Sequence, residues 1–102
     1  MAAGLIWSGE SLDDVGAIAQ FIARDSLHHA QRVVEALFDL GDVIAAHPLA
    51  GRIVPELHDV AVRERFLYSY RVIYEVRVER TEILVVPHGR RLLESIGERF
   101  EE

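Results

Sequence analysis

Apolar residues recur every three or four positions from Leu12 to Ile44, then every second position from Tyr70 to Val76. Side chains repeat about every 3.6 residues on a helix and every second residue on a strand. The change of period therefore assigns helices to the first half of the chain and strands to the second. Leu12, Val15, Ile18, Ala19 and Ile22 form one stripe, which predicts an amphipathic helix over residues 11–23. Ser11 stands three positions before Asp14 and is read as its cap, and Asp13 and Asp14 suit the positive end of the helix dipole. Asp25-Ser26 breaks the pattern and offers a second cap. Leu27, Ala30, Val33, Val34, Leu37, Leu40 and Ile44 then predict a longer helix over residues 26–46, ended before Pro48. Gly41 weakens that helix by about 1 kcal/mol relative to Ala. Two such helices with a tight join pack as an antiparallel hairpin.

Residues 47–59 read as a loop carrying Pro48, Gly51 and Pro55, with one short helical turn at Pro55-Glu56-Leu57. Strands follow at 63–67, 70–76 and 82–86, with Val78-Glu79-Arg80-Thr81 as a hairpin turn, and they form an antiparallel meander. Ile83-Leu84-Val85-Val86 is continuously apolar, which predicts a strand covered on both faces. Leu5-Ile6-Trp7 is a first strand expected at an edge of the same sheet. A last helix is expected over residues 90–100, with Leu92, Leu93, Ile96 and Phe100 on one side. The expected fold is α+β, a single domain over residues 1–102, with a helix hairpin packed on a mainly antiparallel sheet.

The chain has no cysteine, which excludes a disulfide framework, a thiolate nucleophile and a Cys-ligated zinc, and fits a cytoplasmic protein. No secretory leader or membrane-spanning apolar run is read in it. The net charge of −6 argues against direct nucleic-acid binding, which depends on neutralising phosphates. That charge is unevenly placed. Residues 1–50 hold two arginines and seven acids, whereas residues 51–91 hold eight arginines and six acids. Every cation is Arg, a side chain suited to bidentate carboxylate or phosphate contacts.

Several local motifs accompany this order of elements. Trp7-Ser8 precedes the first helix and Phe21-Ile22-Ala23-Arg24-Asp25 joins the two. His47-Pro48-Leu49-Ala50-Gly51-Arg52 and Val54-Pro55-Glu56-Leu57 fill the loop. Arg63-Glu64 and Tyr70-Arg71-Val72-Ile73-Tyr74-Glu75-Val76 mark two of the strands, and His88-Gly89-Arg90-Arg91 comes after the last one. Over residues 5–92 this series resembles the ParE-type toxins of plasmid stabilisation modules and, more broadly, the RelE/ParE superfamily. The resemblance implies a toxin neutralised by a cognate, ParD-like protein antitoxin in a hetero-oligomer. ParE proteins are associated with poisoning DNA gyrase, and RelE proteins with cleaving mRNA in the ribosome.

Cleavage of RNA needs a base, an acid and cations for the phosphate. His88 with Arg71, Arg90 and Arg91 are the candidates for such a set. Their alternative is structural: a strand-end histidine, and arginines paired with Glu64, Glu75 or the antitoxin. RelE-type nucleases usually carry several basic residues and often a tyrosine near the C-terminus, whereas here no Lys is present and the late aromatic is Phe100, which exchanges no proton; together with the ParE-like pattern, the resemblance implies a non-enzymatic gyrase inhibitor in preference to a RelE-like endonuclease. A third reading is a non-toxic antitoxin-binding module acting in autoregulation. On the preferred reading Arg65, Arg71, His88, Arg90 and Arg91 face the target, and Leu37, Leu40 and Ile44 face the antitoxin. Arg52 and Arg63 are expected to hold the long loop through its carbonyls. Tyr70 and Tyr74 share a strand face and read as packing residues, with Tyr68 more exposed. His28, His29, His47 and His58 lie in no metal-ligand spacing, and no cofactor motif is present.

Overall fold

The structure, a computed structural model, describes residues 4–88. Strand β1 (Gly4–Trp7) leads into helix α1 (Gly9–Ala23), and helix α2 (Leu27–Ala46) follows after a short join. A single 3₁₀ turn (Pro48–Ala50) precedes a two-residue strand β2 (Arg52–Ile53), and the remaining strands are β3 (Val62–Leu67), β4 (Tyr70–Val76) and β5 (Arg80–Val85). The five strands form one sheet in the order β1-β5-β4-β3-β2, with β1 parallel to β5 and the other pairs antiparallel. The expected helix at 90–100 lies outside the described residues.

Three local differences from the sequence reading have clear physical causes. Ser8, not Ser11, caps α1: its Oγ accepts from the Ser11 N–H at 3.0 Å and donates to the Leu84 carbonyl at 2.8 Å. One side chain thus ends β1, starts α1 and ties both to β5, while Ser11 is buried and donates back to the Ser8 carbonyl. The β4–β5 turn is tighter than expected. The Arg77 N–H donates to the Arg80 carbonyl at 2.8 Å, so only Val78 and Glu79 turn, and Thr81 is buried in β5 opposite Val76. The loop after α2 also contributes β2, which pairs with Arg63 and Glu64 of β3.

Gly41 has a packing role within α2. A Cβ there would lie 2.6 Å from Cζ2 of Trp7. The absent side chain admits the indole, whose ring also meets Phe38 edge-on at a centroid distance of 4.8 Å. Ser26 caps α2, its Oγ accepting from the His29 N–H.

Two apolar clusters cover the two faces of the sheet. On the helix face, Val15, Ile18, Val33, Leu37 and Ile44 meet Val72, Tyr74, Ile83 and Val86. On the other face, Val54 of the loop meets Val62, Ile73 and Val85, with Leu57 and Leu84 packed against them. Ile83 and Val85 belong to opposite clusters although two residues apart. The register shift between Ile73 and Tyr74 against β5 permits this by inserting one extra residue, and so β5 is apolar on both sides there.

Candidate functional site

Residues 54–61 lie across the sheet face away from the helices, and this cover turns Arg71 inward. Arg71 is 5% exposed. Its Nε and Nη2 donate to Oε1 of Glu64, the Nε bond at 2.8 Å, and its Nη1 donates to Oε2 of Glu56 at 2.7 Å. Glu64, 1% exposed, receives a further bond from Nε of Arg52 on its other oxygen. Arg52 is largely exposed, and its guanidinium lies 5.5 Å from the ring centroid of Phe66. Burial alone would lower the Arg71 pKa, but hydrogen bonds and charge from Glu56 and Glu64 outweigh it and hold the group above its usual value. The bond from Arg71, its largest cause, holds Glu56 below the usual carboxylate value. Two guanidiniums and two carboxylates thus balance in one cluster, whose buried charges are paired as burial requires.

The expected target-facing role of Arg71 is therefore corrected. All three of its guanidinium nitrogens are engaged by carboxylates, and it presents no surface to a partner or a phosphate. The expected antitoxin-facing roles of Leu37 and Ile44 are also corrected, since both are fully buried between the helices and the sheet. Leu40 is partly buried against the same cluster. Their stripe faces inward because the sheet is the larger apolar surface available to α2.

Arg63 donates from Nη1 to the carbonyls of Leu49 and Gly51 and from Nε to that of Val60. It thus joins both ends of the loop to β3. Arg52, by contrast, binds a carboxylate instead of loop carbonyls. Tyr74 completes the loop anchorage: fully buried, it donates from its hydroxyl to the Pro48 carbonyl at 2.7 Å. A Cβ on Gly51 would overlap that hydroxyl, so only glycine permits the loop to approach so closely.

Two of the remaining expected residues reach the surface. Arg65 is half-buried on β3. His88 is exposed just beyond β5, bridges to Tyr70 and meets the Tyr70 ring edge-on at 5.8 Å. Arg65 pairs with Val72, so β4 separates Arg65 from His88. Arg90 and Arg91 lie outside the described residues. Among the described residues no group of three or more His, Asp or Glu is placed to hold a metal ion, and no helix is long and apolar enough to cross a membrane.

The helix hairpin leaves an apolar surface, as expected for an antitoxin to cover, but it is lined by residues that the sequence reading assigns to no partner. Ala19, Gln20, Ala23, Leu27, Ala30, Gln31, Val34 and Glu35 line an open, mainly apolar groove of about 550 Å³. Leu27 at its margin is 67% exposed. Its signal in the sequence is the run of alanines at helical spacing, which keeps the facing helix surfaces low.

Residues 5–93 match the family model for the ParE toxin of the type II toxin–antitoxin system parDE. The chain belongs to the ParE toxin family. Among solved structures, the chromosomal ParDE system from P. aeruginosa is similar at a TM-score of 0.71 and 17% identity, over 85% of this chain and 96% of that one. The toxin–antitoxin complex RelBE2 from Mycobacterium tuberculosis is similar at a TM-score of 0.65 and 14% identity, over 86% and 99%. At these identities the two likenesses concern the fold. No curated protein matches the sequence. As a ParE-family toxin, the chain keeps its charged cluster inside the loop-covered face and offers an apolar groove on the opposite, helical side.

Proposed function

We propose that this ParE-family chain inhibits DNA gyrase by binding and trapping an enzyme–DNA intermediate, and that a ParD-like antitoxin neutralises it. The observation that supports a binding mechanism over a nuclease is the state of Arg71. The central cation of a phosphate-cleaving set is buried between Glu56 and Glu64 and offers no accessible face to a scissile phosphate. A toxin that acts by binding needs a shaped surface and no proton-transfer centre. On this reading the target face includes Arg65 and His88 with Arg90 and Arg91.

The antitoxin seat is reassigned to the groove of the helix hairpin. Its alanine floor and the exposed Leu27 suit an apolar segment that folds on binding. Small side chains let a partner backbone approach, and Gln20, Gln31 and Glu35 supply a polar rim.

The test is a supercoiling and DNA-cleavage assay of purified protein with bacterial gyrase, beside a ribosome-bound mRNA cleavage assay. Accumulated cleaved DNA with intact mRNA is expected. Cut mRNA with unaffected gyrase would overturn the reading. In the same assays His88→Ala is expected to leave mRNA intact and, as a change in the target face, to weaken gyrase inhibition.

A further inference from the structure

Tyr68 stands at the tip of the β3–β4 hairpin, where only it and Ser69 lie between the paired residues Leu67 and Tyr70. Its φ is 53°, in the left-handed region that bulky residues avoid and that glycine favours in such turns. A backbone held there carries a conformational cost, and such strain collects at functional surfaces. Among the described residues nothing offsets it: Tyr68 is 69% exposed, makes no hydrogen bond and meets no other ring.

Two positions earlier, Phe66 is 52% exposed. Alternation along β3 puts it on the face that carries Glu64, and Arg52 of β2 pairs with Glu64, so the guanidinium comes within 5.5 Å of the ring centroid. Arg52 is held from beneath. Its Nε donates to Glu64, which Arg71 fixes in turn, whereas neither Nη1 nor Nη2 of Arg52 finds an acceptor among the described residues. Those two nitrogens form an edge suited to a carboxylate.

Charge indicates what settles here. Arg63 binds only carbonyls and Arg65 is half-buried, and among the described residues neither forms an ion pair with a carboxylate. Positive charge is thus left unmatched along β3 in a chain whose net charge is −6. That total repels a nucleic acid, whose phosphates extend well past the patch, whereas a short acidic protein segment meets only the local surplus. Exposed Tyr, Phe and Arg are the side chains enriched at protein interfaces, and a guanidinium already held in place loses little freedom on binding.

We infer that Arg52, Phe66 and Tyr68 form a docking surface for an acidic segment of the protein that the toxin inhibits. A carboxylate meets Nη1 and Nη2 of Arg52, and an apolar side chain lies against the two rings. The inference rests on the binding mechanism proposed above but not on gyrase being the target.

Tyr68→Gly separates recognition from architecture. Glycine accepts a positive φ without strain, so a residue of purely structural consequence would yield a stabler and equally active toxin. Recognition predicts a higher denaturation midpoint, unchanged antitoxin affinity, and at least a tenfold rise in the concentration that half-inhibits bacterial gyrase. Full inhibition by the stabilised variant would overturn the inference. Phe66→Asp and Phe66→Lys both remove the ring, and an acidic partner predicts the larger loss for Asp; equal losses would overturn the assigned charge. A second measurement holds whatever the target. The full chain carrying p-benzoylphenylalanine at position 68 is irradiated in a bacterial host, and the crosslinked peptide is sequenced by mass spectrometry. An acid-rich peptide of a protein other than the antitoxin is expected. Crosslinks to nucleic acid, to the antitoxin or to a peptide without an excess of acids, or no crosslink, would overturn the inference. If the wild-type chain leaves gyrase unaffected, the gyrase reading fails and the crosslink alone decides the docking surface.

Discussion

The indole of Trp7 occupies the space that a side chain at position 41 would take, with the notional Cβ 2.6 Å from Cζ2. Helix propensity alone says that Gly41→Ala stabilises α2 by about 1 kcal/mol. The contact reverses that sign. Displacing a ring held by Phe38 has an overpacking cost, and a net loss of about 1–3 kcal/mol is expected in chemical denaturation. In a Trp7→Leu background the same substitution is expected to be neutral or stabilising. A gain in the wild-type background would show that the indole moves aside freely.

The Arg71–Glu64 pair gives a non-additive prediction. Arg71→Ala leaves Glu56 without its partner and the fully buried Glu64 with Arg52 alone, and is expected to lose about 3–5 kcal/mol. The double variant Arg71→Met with Glu64→Leu is expected to lose less than the sum of the single changes, because fewer charges are stranded. Additive losses in denaturant titrations would show that the two groups contribute independently.

Glu56 supplies a pH dependence. Its folded-state pKa is held below the ordinary value of 4.5, chiefly by the hydrogen bond from Arg71. Above the unfolded pKa the carboxylate is charged in both states and its contribution is fully present. As pH falls, the unfolded chain takes up a proton before the folded one does, and stability declines until the folded pKa is passed. Glu56→Gln is expected to be less stable at neutral pH and to have a shallower decline below pH 4.5. Parallel stability curves for the two proteins would exclude Glu56 as a source of the acid sensitivity.

Tyr74→Phe removes the donor to Pro48 and is expected to cost about 1–3 kcal/mol, since a part-buried carbonyl loses its partner. Burial raises the Tyr74 pKa above its ordinary 10.0. The unfolded chain therefore ionises first as pH rises, and wild-type stability is expected to fall above pH 10 more steeply than that of Tyr74→Phe. Thermal melts across that range make the comparison.

For the hairpin groove, Leu27→Asp is expected to weaken antitoxin binding at least tenfold, or about 1.4 kcal/mol, while leaving folding intact. Leu27 is exposed and begins α2, where an acid is well tolerated. Isothermal titration with the cognate antitoxin measures this, and unchanged affinity would remove the groove from the interface.

The helices are readable in the sequence because each stripe has both a period and a punctuating residue, as with Ser26 before Leu27 and Pro48 after Ala46. Ser8 escapes that reading as the α1 cap because Ser-Gly after a short strand reads as a turn. Its bond to Leu84 spans 76 residues and leaves no local trace. Arg71 is misread for a related reason. Alternation along β4 puts it on the same face as Ile73 and Glu75, which reads as solvent-facing unless something covers it. The cover is the loop carrying Val54 and Glu56, and nothing periodic announces a loop that folds back over a sheet. The groove on the hairpin is legible only as an excess of alanine, a composition that suits a core equally well. Arg65 and His88 are recognisable as polar surface residues, but not the strand between them.

The parallel pairing of β1 with β5 also fixes when the fold can be completed. Trp7 pairs with Ile83, Ser8 bonds to Leu84, and Asp14 accepts from Val86, so the earliest residues wait for nearly the last described ones. During synthesis the helix hairpin can form from local contacts, while the sheet stays open at the position that β5 must fill between β1 and β4. A ribosome therefore carries an open sheet until the residues of β5 have emerged. The surface that spans β1, β5 and β4 then arises in one step rather than strand by strand.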